Sequence, residues 1–105
     1  MKKLKKGKLR RLAGAAVPDA NAAVRQAEAF TLYLRTECHL AENTVAAYSR
    51  DMRRFIGWLE GRKVADLTIT ELSDFVGFLN TQQLAPASIA RHIVAVKMFF
   101  RYLQL

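Results

Sequence analysis

The sequence is short, rich in apolar residues and strongly basic. Its 105 residues suffice for one domain with a single core, since 51% of them are hydrophobic. The single cysteine, Cys38, excludes an internal disulfide and suits a reducing cytoplasm, and no apolar run approaches the roughly 20 residues of a membrane span.

The positive charge is concentrated at the amino end of the chain. The net charge is +8, yet seven Lys and Arg residues precede the first acid, Asp19, and ten basic and nine acidic residues make up the remainder. We predict a flexible basic arm over residues 1–18 and a folded domain over residues 19–105. The arm is either a solvated tail or a segment that lies on DNA phosphates; its few leucines give little apolar face for a membrane.

Two amphipathic helices are predicted in the first half of the domain. The first runs from Ala20 to about Glu37, after a stop and an N-cap supplied by Pro18 and Asp19. The second, from about Glu42 to Glu60, has the clearest helical period in the chain. The predicted buried stripes are Val24, Ala27, Phe30 and Leu34 in the first helix, and Val45, Tyr48, Met52, Phe55, Ile56 and Leu59 in the second.

The third predicted helix begins with a complete start signal. Thr68 and Glu71 match a capping box, Leu67 and Leu72 match the hydrophobic staple around it, and Asn80 ends the helix. Its acids make this the acidic side of the domain, where we do not expect DNA. The predicted buried face is Leu72, Phe75, Val76 and Leu79, and the acids are Asp66, Glu71 and Asp74.

The fourth predicted helix begins with Pro86 in its first turn and runs to the end of the sequence. It contains no acid, and its last turns are apolar nearly all round, which predicts cover on more than one side and a chain that continues in the whole protein. No segment alternates with period two, so we predict an all-α, compact four-helix bundle. The predicted core face is Ile89, Ile93, Val96, Phe100 and Leu103, with Arg91 and Ala95 facing away and Ser88 near them.

An internal repeat relates the second and fourth helices. Residues 40–59 match residues 84–103 at a constant offset of 44. Such a repeat indicates that one structural unit is used twice. The matched pairs are Leu40 and Leu84, Ala41 and Ala85, Thr44 and Ser88, Val45 and Ile89, Ala46 and Ala90, Arg53 and Lys97, Phe55 and Phe99, and Leu59 and Leu103.

The sequence carries no recognisable catalytic or cofactor motif. The two histidines, His39 and His92, lack metal-ligand spacing, and there is no Gly-rich phosphate loop or nucleophile elbow. We therefore expect no enzymatic activity, no metal and no cofactor for this chain alone.

A nucleic-acid interface is the main functional hypothesis. The amino ends of the second and fourth helices offer unpaired N–H groups, small residues, hydroxyls and outward arginines, a combination suited to phosphate and groove contacts. It requires both ends on one side of the bundle, and an intramolecular carboxylate pair at Arg50 or Arg91, the best candidates for reaching bases, would count against it. The candidate DNA-binding residues are Asn43, Thr44, Ala47, Tyr48, Arg50, Arg54, Ser88, Arg91, His92 and Lys97.

Several of these residues also have a structural explanation. Thr44 and Ser88 could cap their own helices, and Tyr48 and His92 could pack against the core. A second function remains open: a helical protein-interaction module whose exposed aromatic carboxyl-terminal helix docks a partner.

The sequence resembles the N-terminal core-binding domain of tyrosine recombinases, the phage-integrase and Xer-like family. The resemblance covers residues from about 22 to 105. Alanines at 41 and 85 depart from the capping serine common in the family, and Val94 from a small polar residue. The residues that carry it are Phe30, Leu34, Leu40, Asn43, Thr44, Tyr48, Asp51, Phe55, Leu59, Leu67, Thr68, Leu72, Ser88, Ile89, Arg91, Val96, Lys97, Phe99, Phe100 and Leu103.

The resemblance implies a SAM-like domain whose second and fourth helices enter the major groove of duplex DNA. It also implies a C-terminal catalytic domain that this chain lacks, together with other recombinase subunits assembled on the DNA, and a monomer in isolation. None of the family's catalytic positions falls in this sequence, so Tyr33, Tyr48 and Tyr102 are not assigned as nucleophiles.

Overall fold

The computed structural model describes residues 22–105, and the predicted basic arm lies outside the described residues. Within this range the chain forms four α-helices and one short 3-10 helix, Val64–Asp66, with no strand. The all-α four-helix bundle predicted from the sequence is confirmed, and none of these helices is long and apolar enough to cross a bilayer. The helices are α1 (Ala22–Thr36), α2 (Glu42–Leu59), α3 (Ile69–Asn80) and α4 (Pro86–Leu103).

Each helix contributes one phenylalanine to the centre of the core. Phe30, Phe55, Phe75 and Phe99 are each at most 2% exposed. The ring centroids of Phe30 and Phe99 are 5.4 Å apart, and those of Phe55 and Phe75 are 5.1 Å apart, both edge to face. Such pairs contribute about 0.5–1.5 kcal/mol beyond the burial of their area. The four rings therefore connect all four helices at one point.

The buried stripe of α1 differs from the predicted one at a single position. Val24 was expected in the core but is 37% exposed, while Ala23 is 8% exposed. Ala23 lies four residues before Ala27, so the two share one face, and Val24 lies about 100° away. Val24 instead lines an open groove of about 580 Å³ between α1 and α2.

The buried face of α4 also differs from the prediction. Ala95 was expected to face away but is 0% exposed, and His92 and Phe99 are buried where Ile93 and Phe100 were expected. Val96 belongs to both the predicted and the observed face, so the buried face is rotated by less than the 100° between consecutive residues. The cause is that α4 packs against α1, α2 and α3 together, so that Ile93 and Phe100 are covered only at its flank.

The start of α3 is as predicted. Thr68 Oγ1 accepts a hydrogen bond from the Glu71 amide at 3.2 Å, and the Thr68 amide donates to Glu71 Oε1 at 3.0 Å, which completes the capping box. Glu71 also pairs with Arg62 at 3.2 Å. Arg62 stacks 4.4 Å above the Trp58 ring and donates to the carbonyls of Leu59 and Trp58 at the end of α2.

The internal repeat is reproduced in the backbone. α2 and α4 each have 18 residues and begin and end 44 residues apart. Their N-caps, Ala41 and Ala85, have φ −63° with ψ 149° and 147°. The turns before them contain His39 at φ 55° and Gln83 at φ 57°, again 44 residues apart. The same turn and helix are therefore built twice, as the sequence predicted.

Candidate nucleic-acid interface

Both helices of the repeat start without a side-chain cap. Ala41 and Ala85 adopt the extended conformation of an N-cap, but neither has a side chain that can accept from the first turn. At the third helical position, Thr44 of α2 is exposed and Ser88 of α4 is half-buried. The first-turn amides of both helices are thus left without side-chain acceptors, and the helix dipole makes these ends favourable for an anion.

A buried carboxylate joins the middle of α2 to the second turn of α4. Asp51 is 1% exposed, although it carries a charge. Arg91 Nε donates to Asp51 Oδ2 and Arg91 Nη2 donates to Asp51 Oδ1, each at 2.8 Å. These hydrogen bonds raise the pKa of Arg91 above its ordinary value, so the guanidinium stays charged. Arg91 was predicted to point away from the bundle without an acidic partner; instead it is held by Asp51.

His92, the residue after Arg91, also lies beside Asp51. Its Nδ1 lies 2.6 Å from the Ser88 carbonyl oxygen, which can only accept, so Nδ1 carries the proton and donates. Its Nε2 lies 3.3 Å from Asp51 Oδ1 and has no hydrogen-bond partner among the described residues. The ring is 3% exposed. His92 was predicted to contact DNA; it is buried beside Asp51 instead, which excludes a direct contact in this conformation.

The same contacts fix the relative direction of α2 and α4. Asp51 contacts Arg91. Four residues later on α2 and eight residues later on α4, Phe55 contacts Phe99, with ring centroids 6.2 Å apart. The contacts follow the same order along both helices, so their amino-terminal ends extend to the same side of the contact region. The pairing of Arg91 with Asp51 counts against the sequence hypothesis at that residue.

The remaining arginines of the candidate set differ from each other. Arg50 is exposed and forms no ion pair with any described residue. Arg54 was predicted to point outward but is half-buried, and its Nε is buried without a hydrogen-bond partner. Arg50 is therefore the accessible cation on this part of α2.

The other predicted residues lie at different depths, most of them in the first two turns of α2 and α4, with Lys97 further along α4. Those on the surface are Asn43, Thr44 and Lys97, and those half-buried are Ala47, Tyr48 and Ser88. Small side chains flank them, since Ala46, Ala87 and Ala90 are exposed. Val94 adds an apolar side chain, 45% exposed, one turn after Arg91.

Asp51 is the residue of this cluster that sequence analysis did not select as a site. It lies beside Tyr48, Met52 and Phe55 on the flank of the apolar stripe of α2. An acid at such a position is costly to bury unless it has a partner, and that mismatch was the signal that could have identified it. No group of three His, Cys, Asp or Glu residues that could hold a metal ion occurs within residues 22–105.

Comparison with known proteins gives consistent matches. The family described as "Phage integrase, N-terminal SAM-like domain" matches residues 27–105. The chain is 37% identical over 81 residues to the tyrosine recombinase XerC of Roseiflexus castenholzii, covering 74% of this chain and 26% of that protein. It is 36% identical over 83 residues to the XerC of Herpetosiphon aurantiacus, covering 76% and 27%. Against the tyrosine recombinase XerD of Listeria monocytogenes it is 36% identical over 80 residues, covering 72% and 27%.

These relatives are much longer than this chain. The chain spans about a quarter of the length of the curated relatives that it matches. No solved structure gives a significant match.

Proposed function

The chain belongs to the family of phage integrase N-terminal SAM-like domains, and from this premise we propose that it is the DNA-binding module of a site-specific tyrosine recombinase. It positions the enzyme on duplex DNA through the first turns of α2 and α4. The observation that carries the proposal is the contact at Asp51 and Arg91, which joins the two helices that begin without a side-chain cap.

Charge placement supports this surface over the others. α4 contains no acid, and Arg50 and Lys97 are exposed near its contact with α2. On α3 the first turn carries Glu71, whose carboxylate is already bound to Arg62 and Thr68. The first turn of α2 also carries an acid, Glu42, which pairs with Arg35 at 2.9 Å. A polyanion is therefore attracted most to α4, which has no acid.

Small side chains allow a backbone to approach this surface closely. Ala46 on α2 and Ala87 and Ala90 on α4 are all exposed near the helix starts. A major groove admits a helix whose side chains at the contact are short. Thr44, at the start of α2, adds a hydroxyl that can donate to a phosphate oxygen.

In the whole protein this module acts with further parts. The curated relatives are tyrosine recombinases about four times as long as the matched region, so we place a catalytic domain beyond the matched segment and assign strand breakage and rejoining to it. Duplex DNA and other recombinase subunits are then the partners, and the cytoplasm is the compartment. No catalytic role is assigned to residues of this chain.

The proposal is tested by mapping a duplex onto the surface. Amide chemical shifts of the 105-residue chain are followed while a duplex is added at low salt. We expect shifts at residues 43–50 and 87–97, and an affinity that falls steeply as salt rises from about 50 to 200 mM. Shifts concentrated on α3, or no binding at low salt, would overturn the proposal.

A pair of variants separates this surface from general basicity. Arg50→Gln removes an exposed cation of α2 that forms no ion pair with a described residue, and Arg101→Gln removes an exposed cation in the last turn of α4. We expect Arg50→Gln to weaken duplex binding and to reduce the dependence of affinity on salt by the amount expected for about one phosphate contact. Arg101→Gln should bind the duplex with nearly the affinity and salt dependence of the unchanged chain.

The alternative function, docking through exposed aromatic residues of α4, is not favoured. Phe99 is 0% exposed, and the Tyr102 ring packs against Phe30 and Tyr33 with centroids 5.6 and 4.9 Å apart. The aromatic residues expected to be exposed therefore belong to the core of this domain.

A further inference from the structure

The Asp51–Arg91 pair leaves one edge of the guanidinium unused. A guanidinium is planar and presents its N–H groups along two adjacent edges. Asp51 occupies the edge formed by Nε and Nη2. The edge between Nη1 and Nη2 has no partner among the described residues, and the Arg91 side chain is 36% exposed. A planar donor pair is therefore presented to solvent beside the start of α4.

This donor pair is rigidly held. Two bonds of 2.8 Å fix the plane of the guanidinium to that of the Asp51 carboxylate. The carboxylate is itself confined, because Asp51 is only 1% exposed. Arg91 thus loses little conformational freedom when a second acceptor binds its outer edge.

The charge of the pair distinguishes between two possible acceptors. The Asp51 carboxylate offsets the charge of Arg91, so the pair has little net attraction for a phosphate, which is recognised mainly by charge. A guanine edge is neutral and presents two acceptors, O6 and N7, at a spacing that matches the planar donor pair. The pair has directed hydrogen-bond donors but little net charge. These properties favour binding to a guanine edge over binding to a phosphate.

We infer that Asp51 is a positioning residue that orients Arg91 to bind a guanine in the major groove of the target duplex. The inference rests on the proposed function and deepens it, because it assigns sequence readout to one residue and the support of that residue to another. Val94, exposed one turn after Arg91, then lies beside the neighbouring base pair.

The test is a selection from duplexes with a randomised segment, carried out with the 105-residue chain and three variants. Arg91→Lys keeps the charge and an ion pair with Asp51 but lacks the planar donor pair. Asp51→Asn keeps the size of the side chain but has one acceptor oxygen where Arg91 needs two. Arg101→Lys is the matched control on an exposed part of α4. Circular dichroism verifies that each variant folds. If Asp51→Asn does not fold, Arg91→Lys still tests whether the planar donor pair of Arg91 selects the guanine.

We expect the unchanged chain and Arg101→Lys to select a guanine at one fixed position. Arg91→Lys and Asp51→Asn should lose that preference by roughly 5- to 150-fold. The salt slope of Arg91→Lys should stay unchanged, because the number of charges is the same. Replacing the selected guanine by 7-deazaguanine, which lacks the N7 acceptor, should weaken binding of the unchanged chain and leave Arg91→Lys unaffected.

Two results would overturn the inference in distinguishable ways. If the Arg91→Lys variant keeps the guanine preference, or binds all duplexes more weakly by the same factor, then Arg91 contacts phosphate and Asp51 does not position it for a base. If the unchanged chain binds no duplex at all, the proposed function fails and the inference with it.

Discussion

Phe55 and Phe99 occupy equivalent positions in the two copies of the repeat and contact each other in the core. They are 44 residues apart in the sequence, both are 0% exposed, and their ring centroids are 6.2 Å apart. The two copies of the repeat thus pack against one another through the same side chain. The stability of the bundle should depend on both rings to a similar degree.

Truncation of either ring should be strongly destabilising. We expect Phe99→Ala and Phe55→Ala each to lower the free energy of unfolding by about 3–5 kcal/mol, because each leaves a cavity among aromatic neighbours, three around Phe99 and four around Phe55. Urea unfolding followed by Trp58 fluorescence measures this change. Ile69→Ala is the control, since Ile69 is 84% exposed and its truncation should change stability by less than about 0.5 kcal/mol.

Adding a cap to either repeat helix should stabilise the domain. Ala41 and Ala85 already have N-cap dihedral angles but no side-chain acceptor. Ala41→Ser and Ala85→Ser should each raise the free energy of unfolding by roughly 0.5–2 kcal/mol, and by similar amounts because the two sites share one geometry. Thermal unfolding measures the gain. Ala90→Ser, an exposed position inside α4, should instead be slightly destabilising; equal effects at all three sites would contradict this explanation.

The capping box of α3 should make stability depend on acid. The pKa of Glu71 is lowered from its ordinary 4.5, first by the hydrogen bond from the Thr68 amide and then by Thr68 Oγ1 and Arg62. A group whose pKa is lower in the folded state stabilises the protein fully above its unfolded value. We therefore expect this contribution above about pH 4.5 and its loss as the pH falls below that value through the lowered pKa.

Glu71→Gln isolates this contribution, because the amide cannot ionise. Urea unfolding of both proteins between about pH 7 and pH 2 should give a stability difference that disappears at the acid end. A difference that is constant across this range would show that ionised Glu71 makes no net contribution.

Arg91 should also be important for stability, independently of any DNA. Arg91→Ala leaves the Asp51 carboxylate buried without its guanidinium, and breaking such pairs typically costs about 3–5 kcal/mol. We expect about 3 kcal/mol, the low end, because the Arg91 side chain is 36% exposed. Chemical unfolding of Arg91→Ala, Asp51→Ala and the double variant gives the coupling energy between the two residues.

The double variant should lose less stability than the sum of the single variants, since it leaves no unpaired buried charge. Arg50→Ala serves as the control, because Arg50 is exposed without an ion pair and should be nearly neutral. Additive effects of Asp51→Ala and Arg91→Ala would contradict a direct interaction.

Local signals in the sequence were sufficient for the helices and their ends. The capping box at Thr68, Pro86 in the first turn and the helical periods placed each start within two residues of the structure. These features depend on contacts within a few residues, which a sequence contains.

The orientation of α4 could not be predicted in the same way. A helix that is apolar nearly all round has several possible buried faces, and the choice depends on three neighbours at once. The Asp51–Arg91 pair joins residues 40 positions apart, so it follows from tertiary packing. As a result the internal contacts of the candidate site could not be predicted from the sequence.

The two copies of the repeat are alike in backbone but not in charge, and this gives the domain a polarity. The residues equivalent to Asp51 and Arg91 in the opposite copies are Ala95 and Ala47, so the ion pair has no counterpart across the repeat. A pseudo-symmetric pair of helices with identical side chains could lie on a duplex in either of two directions. Under the proposed function, the single oriented guanidinium distinguishes these directions, and a half-site would be read from one end only.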